Sequence, residues 1–206
     1  MLVTKIQEKT KNRVEVVLDQ EFSFVLYKGE LRSYKITLNN EIPSTSYHEI
    51  MEEVLPKRAK LRAMNLLKVR PYTESGLRQK LAEGGYPQKI IDIAIDYVAS
   101  FHYIDDSQYA ADYIDTYKDR KSKKCIIRDL SLKGVSKDII QKAFEDFEDS
   151  EEGNADFEKE QVRAILKKKN YSSDWPYEEK MKLMAYLYRK GYSVDIDRIL
   201  GDIDLS

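Results

Sequence analysis

Residues 70–106 read RPYTESGLRQKLAEGGYPQKIIDIAIDYVASFHYIDD, and the rest of the chain is organised around that stretch. Leu77 and Leu81 lie four apart and therefore share one side of a helix. Thr73 is placed to cap that helix by accepting a bond from a backbone amide, and Glu74 suits the positive end of its dipole. Gly84-Gly85 supplies the left-handed residue that ends it. Pro87 presets the first turn of a second helix, whose apolar stripe runs Ile91, Ala94, Ile95, Val98, Phe101. Asp105 then serves as a cap for a third helix, and Gln108 three residues later completes a capping box.

The same unit recurs. Gly134 and Gly191 stand in the frame of Gly85, at spacings of 49 and 57 residues. Four residues before the glycines are Leu81, Leu130 and Leu187, and eight before are Leu77, Ile126 and Leu183. Five residues after them are Ile90, Ile139 and Ile196, and nine after are Ala94, Ala143 and Leu200. Ser136 and Ser193, two past their glycines, are suited to cap the following helix. A further helical pattern precedes each pair, at 57–68, 106–120 and 157–168. The excess length of the third copy falls in 170–180. Three tandem three-helix repeats follow, with first boundaries at 46–104, 105–149 and 150–206. One such unit cannot bury its own apolar face, so the repeats are expected to form an elongated, curved stack.

The start of the chain has a different period. Segments 2–7, 13–19 and 22–27 are short and rich in Val, Ile, Phe and Tyr, with polar turns between them. Val14, Val16 and Leu18 alternate with Glu15, Val17 and Asp19, as in a strand with one buried face. The short link Asp19-Gln20-Glu21 implies a hairpin, while 29–36 suits a helical turn or a fourth strand. This piece, 1–45, reads as a small β-rich subdomain that leans on the helices, because an isolated hairpin is marginal in water. Helices begin at Ser46, where Ser46-Tyr47-His48-Glu49 has capping-box form. Pro56 then kinks the helix or restarts it at Lys57, with Leu61, Met64 and Leu67 on one face. The fold class is mainly α.

Composition excludes several classes of function. Charged residues make up 34% of 206, yet the formal net charge is -1, so any pull on nucleic acid must come from local patches. One cysteine, Cys125, rules out an internal disulfide and fits a reducing compartment; it reads as a buried, inert thiol. No long apolar run or signal-like start is present, which predicts a cytoplasmic protein without a membrane. Gly84-Gly85 lacks the GxGxxG spacing of a phosphate loop, and His48 and His102 lie far apart. Neither a catalytic constellation nor a metal or cofactor site is expected, and Asp105-Asp106 reads as helix start chemistry. Most of the fifteen tyrosines fall on helix stripes and so serve packing, with Tyr72 and Tyr171 as the expected exposed exceptions.

Two charge runs interrupt this balance. Residues 145–160 contain nine carboxylates against Lys159, and their centre, EDSEEGNAD, suits an acidic hinge that would let the third repeat swing. Residues 118–133 carry Lys118, Arg120, Lys121, Lys123, Lys124, Arg128 and Lys133 against Asp119 and Asp129, a local excess of five positive charges. That cluster spans an interhelical turn and a helix start, where backbone amides add to the attraction for phosphate; a solvated face balanced by the acidic run is the alternative.

The phrase Arg70-Pro71-Tyr72-Thr73-Glu74, the run from Leu77 to Tyr86, and Tyr103-Ile104-Asp105-Asp106 followed by Tyr109-Ala110 resemble the RecX family. The resemblance covers 57–147 well and the third repeat loosely. His102 stands where that family usually has glycine. The resemblance implies a regulator of the recombinase RecA, acting as a monomer on the RecA filament in recombination, repair and the SOS response. It also implies single-stranded DNA as a weak partner, met directly or through RecA. Inhibition is the expected sign. Candidate contacts to DNA or partner are Lys118, Arg120, Lys121, Lys123, Lys124 and Arg128, with Arg70 and Arg78 from the opening stretch. A helix-turn-helix-like DNA-binding protein is the alternative, since helix–glycine–helix superficially has that form.

Overall fold

The structure, a computed structural model, describes residues 1–150, 157–172 and 174–192. The chain divides into two compact units, Met1–Asp105 and Asp106–Ser206.

In the first unit β1 (Val3–Thr10), β2 (Arg13–Leu18) and β3 (Phe22–Tyr27) form an antiparallel sheet in the order β1-β2-β3. Val14, Val16 and Leu18 face the core, as alternation requires. β1 runs further than its apolar residues suggest, because it stays paired with β2 as far as Thr10 opposite Arg13. The ambiguous stretch after β3 holds a short helix, α1 (Lys28–Ser33), rather than a fourth strand.

The next helix begins earlier than its sequence signal. α2 (Ser44–Glu49) follows an extended Pro43, which acts as the cap residue, so Ser46 lies inside the helix and not at its start. The helix then widens into a π turn over Ile50–Val54 and continues as α3 (Leu55–Leu67). In the π turn the Leu55 N–H reaches back five residues to the Ile50 carbonyl. Pro56 lacks an N–H and crowds the preceding turn, and the wider turn relieves both problems, so the helix neither stops nor restarts at Lys57. The buried face of α3 is also displaced from expectation. Leu61 is 58% exposed, while Leu55, Ala59 and Ala63 are buried where α3 packs on the next long helix of the unit.

That partner pair is α4 (Glu74–Glu83) and α5 (Gln88–Ser100). Thr73 accepts from the Gly76 amide at 3.0 Å, and Pro87 stands at the cap of α5. Leu77, Leu81, Ile90 and Ala94, the repeat positions, are all fully buried, and they share one core with the valines of the sheet. Phe101 leaves the stripe: it lies past the end of α5 and is exposed, ringed by Tyr97 and Tyr103.

The second unit holds α6 (Asp106–Tyr117), α7 (Lys123–Leu132), α8 (Lys137–Asp149), α9 (Phe157–Lys168) and α10 (Tyr177–Arg189). Ser122 caps α7 and Ser136 caps α8 through hydroxyls that accept from the Cys125 and Ile139 amides. α6 stops at Tyr117, three residues short of its expected end, and the chain turns there through Arg120 and Lys121 amides bonded to the Tyr117 carbonyl. Ser193, Ile196, Leu200 and the centre of the acidic run lie outside the described residues.

The three repeat glycines all end helices with positive φ: 83° at Gly85, 84° at Gly134 and 86° at Gly191. Each is followed by the same closing bond, from the next residue's amide to a carbonyl five back: Tyr86 to Leu81, Val135 to Leu130, Tyr192 to Leu187. Three other helices close identically through non-glycine residues, Lys35 (φ 55°), His102 (φ 55°) and Asn170 (φ 51°). His102 therefore keeps the turn that glycine usually makes there. Thr73 and Ser122, each twelve residues before its glycine, are the buried polar side chains of the described core. The third copy departs from that pattern, with Pro176 capping a longer α10.

Candidate nucleic-acid and partner interface

The basic cluster is built where α6 ends and α7 begins. Tyr109, Tyr113 and Tyr117 fall on one side of α6, with successive ring centroids 6.4 and 4.4 Å apart. Lys121 comes back over this ladder, 3.9 Å from the Tyr117 centroid, and donates to Asp129 at 2.8 Å and to the Tyr113 hydroxyl at 2.9 Å. Partial burial disfavours its charge, but the bonds to Asp129 and Tyr113 prevail and hold its pKa above the ordinary lysine value. Lys121 is thus a fixed part of the packing between α6 and α7.

Lys123 and Lys118 are likewise engaged. Lys123 pairs with Glu148 at 2.6 Å and lies over the Phe144 ring, while Lys118 pairs with Asp115 and lies over Phe147. Lys133, the seventh cation, lies 5.6 Å from the Tyr113 ring centroid, and the other three of the six candidate contacts face outward: Arg120 and Lys124 are exposed, and Arg128 is 68% exposed with a 3.4 Å contact to Asp129. The structure thus separates the six into three that hold the unit together and three that offer charge to solvent. Arg70 and Arg78 belong to the first unit. Arg70 is exposed over the Tyr72 ring at 4.6 Å; Arg78 is bound by Glu74 at 2.7 Å and Asp92 at 2.5 Å.

Sequence reasoning missed the bonds that fasten the third repeat to this cluster. Glu158 at the start of α9 accepts from the Lys123 amide at 2.8 Å, and burial pushes its carboxyl pKa up despite that bond. Gln161 donates to the carbonyls of Lys118 and Lys121 and accepts from the Tyr192 hydroxyl at 2.7 Å. Ser122 and Cys125 both donate to the Lys190 carbonyl, at 2.9 and 3.2 Å. Gly191 is pressed so closely that a Cβ there would lie 2.6 Å from the Ser122 hydroxyl. Phe157 joins the core of α6–α8, edge-on to Phe147. The expected swinging repeat is therefore docked on its neighbour by specific bonds. Cys125 is half-buried, not buried, and its thiol is a donor at this contact.

Tyr72 and Tyr171 are not the exposed exceptions. Tyr72 packs on the first core and Tyr171 on Trp175 in the third, because each follows a turn that folds it back onto its own helices. The most exposed tyrosines are Tyr177 and Tyr188 on α10 and Tyr103 after α5. Among the described residues no group of His, Cys, Asp and Glu could hold a metal ion, and no helix is long and apolar enough to cross a membrane.

A small antiparallel sheet followed by three-helix units, each closed at a left-handed turn, defines a protein of tandem helical domains. Residues 59–97 match the family model for the first three-helix domain of RecX, and 158–196 match that for the third. The Clostridium acetobutylicum protein named "Regulatory protein RecX" is 30% identical over 98% of this chain and 95% of its own length. Its namesake from Caldanaerobacter subterraneus subsp. tengcongensis is 29% identical over 95% of each. The chain belongs to the RecX family of regulatory proteins. Its fold is also similar to two crystal structures. One, of regulatory protein RecX, has a TM-score of 0.61 at 23% identity over 98% of both chains. The other, of RecX from Lactobacillus salivarius, has a TM-score of 0.60 at 24% identity, over 74% of this chain and 98% of that one.

Proposed function

We propose that this chain is a non-enzymatic regulator of RecA, which binds the RecA filament on single-stranded DNA and lowers its ATPase and strand-exchange activity in recombination and repair. The observation that carries the reading is membership, along nearly the whole chain, of a family whose members are named regulatory proteins. Arg120, Lys124 and Arg128 are the side chains of the basic cluster available for phosphates, and they supply a weak, sequence-independent DNA contact. Arg70 offers a further exposed cation in the first unit.

The helix-turn-helix alternative is disfavoured by the charge of the helices that would enter a groove. After its glycine turn, α5 presents Asp96 on its outer side, and α8 presents Asp138, Glu145 and Asp146. Carboxylates in those positions repel a phosphate backbone.

The test is titration of the protein into RecA from its own organism with single-stranded DNA. ATP hydrolysis and strand exchange should fall at well below one copy per RecA monomer. Absence of any effect at every ratio would refute the proposal.

A further inference from the structure

The first unit contains an open cavity of about 500 Å³ between the β2–β3 side of the sheet and the helices α3 and α4. Arg13, Arg58, Arg62 and Lys80 line it together with Tyr27 and Tyr86. These positions lie up to 73 residues apart and form no motif in the sequence.

Their charges are unequally cancelled. Arg58 makes a two-point ion pair with Glu30, and Lys80 pairs with Glu83 at 2.6 Å. Arg13 instead donates to the Gly84 carbonyl, a neutral acceptor, and so keeps its full charge. Arg62 is exposed and has no carboxylate partner among the described residues. Two guanidiniums therefore face the recess unneutralised. Burial raises the Tyr86 pKa, against an opposing pull from Arg13, Arg58 and Arg62, so its phenol stays protonated as a donor at neutral pH. Tyr27 offers a half-exposed ring, one side of which stacks on the Arg58 guanidinium at 4.7 Å. The floor is shaped by Gly84, where a Cβ would come within 3.1 Å of the Tyr86 ring.

Planar guanidiniums match phosphate oxygens in geometry and lose less hydration than ammonium groups. The volume falls within the range of about 300–1,000 Å³ common for ligand sites. A recess combining cations with an aromatic ring suits a flexible single strand, which can turn one phosphate inward and lay a base on the ring. Duplex phosphates lie on a convex cylinder and reach such a recess poorly. We propose that this cavity seats a backbone phosphate of single-stranded DNA, held by Arg13 and Arg62, with a neighbouring base against Tyr27. The site deepens only the DNA part of the function proposed above. Its test contains no RecA, so the two ideas can fail separately.

The experiment is fluorescence anisotropy of a labelled oligo-dT with the full chain across a range of salt. Arg62→Ala should bind about fivefold more weakly at 0.1 M salt, with the salt slope shallower by about 0.7, as expected for one lost single-strand phosphate contact. Arg62→Lys should fall between, and Lys137→Ala, an exposed cation of the other unit, should match the parent. Far-UV circular dichroism should show an unaltered fold for all three. Unchanged affinity and slope in Arg62→Ala would overturn the site. Displacement of the oligonucleotide by dTMP at equal nucleotide concentration would overturn the strand in favour of a mononucleotide. Equal loss on a duplex of random sequence would overturn the single-strand preference.

Discussion

Replacing Gly85 with Ala tests how the sheet and the first repeat are joined. Gly85 has φ 83°, and an added Cβ would lie 2.1 Å from Val25 Cγ2 and 3.0 Å from Val25 Cβ on β3. The left-handed backbone alone costs a residue with a Cβ about 1–2 kcal/mol. Forcing a methyl into the buried Val25 contact adds about 1–3 kcal/mol of overpacking. The expected loss is therefore about 2–5 kcal/mol, a large fraction of a typical domain stability of about 5–15 kcal/mol. Urea unfolding of the full chain, followed by far-UV circular dichroism, measures it. Val25→Ala removes the 2.1 Å clash and leaves only the 3.0 Å approach to Cβ, so in that background the cost of Gly85→Ala should fall toward its backbone share, about 1–2 kcal/mol. Gly29→Ala is the control, because nothing lies within 4 Å of a Cβ there. It sits inside α1 and should stabilise by about 0.5–1 kcal/mol. The same cost for Gly85→Ala with and without Val25 would refute the steric argument, and a cost below that of ordinary surface changes would refute both parts.

Two further expectations concern the second unit. Ser122→Ala removes the cap of α7 and one donor to the Lys190 carbonyl, so the third repeat should loosen by about 1–2 kcal/mol; an unmoved unfolding midpoint in Trp175 fluorescence would contradict this. Hydrogen bonding from Lys121 holds the Asp129 carboxyl below its ordinary pKa, so its stabilisation is complete above about pH 4 and fades as pH falls through the folded value. Asp129→Asn should accordingly lower the melting temperature at pH 7 and converge with the parent in acid, whereas an equal deficit at pH 7 and at pH 2 would remove Asp129 ionisation as the cause.

Much of the fold is written locally. A helix end in the left-handed region and a hydroxyl three residues before an amide are properties of a few consecutive residues. Gly85, Gly134, Gly191, Thr73 and Ser136 could therefore be read from spacing and residue type, whereas the Ser122 cap emerged only with the structure. Alternation did the same for Val14, Val16 and Leu18, since a pleated strand turns every second side chain to one side. Family membership followed from these local signals, because the turns and caps are what the repeats have in common.

Tertiary packing decided what local rules left open. Which side of α3 is buried depended on α5, whose close approach selects Ala59 and Ala63 over Leu61. The π turn before Pro56 arose because an uninterrupted helix buried Ile50, Met51 and Leu55 together, at the cost of one irregular turn. Charge was the least legible property. Lys118, Lys121 and Lys123 look in sequence like Arg120, Lys124 and Arg128, yet Asp115, Asp129, Glu148 and a ladder of tyrosine rings engage the first three. Arg13 and Arg62 carry no local signal, and only the meeting of β2 with α3 and α4 brings them to one cavity. A side chain's type is fixed by its codon, but whether its charge is free depends on neighbours distant in sequence, and those are chosen by the fold.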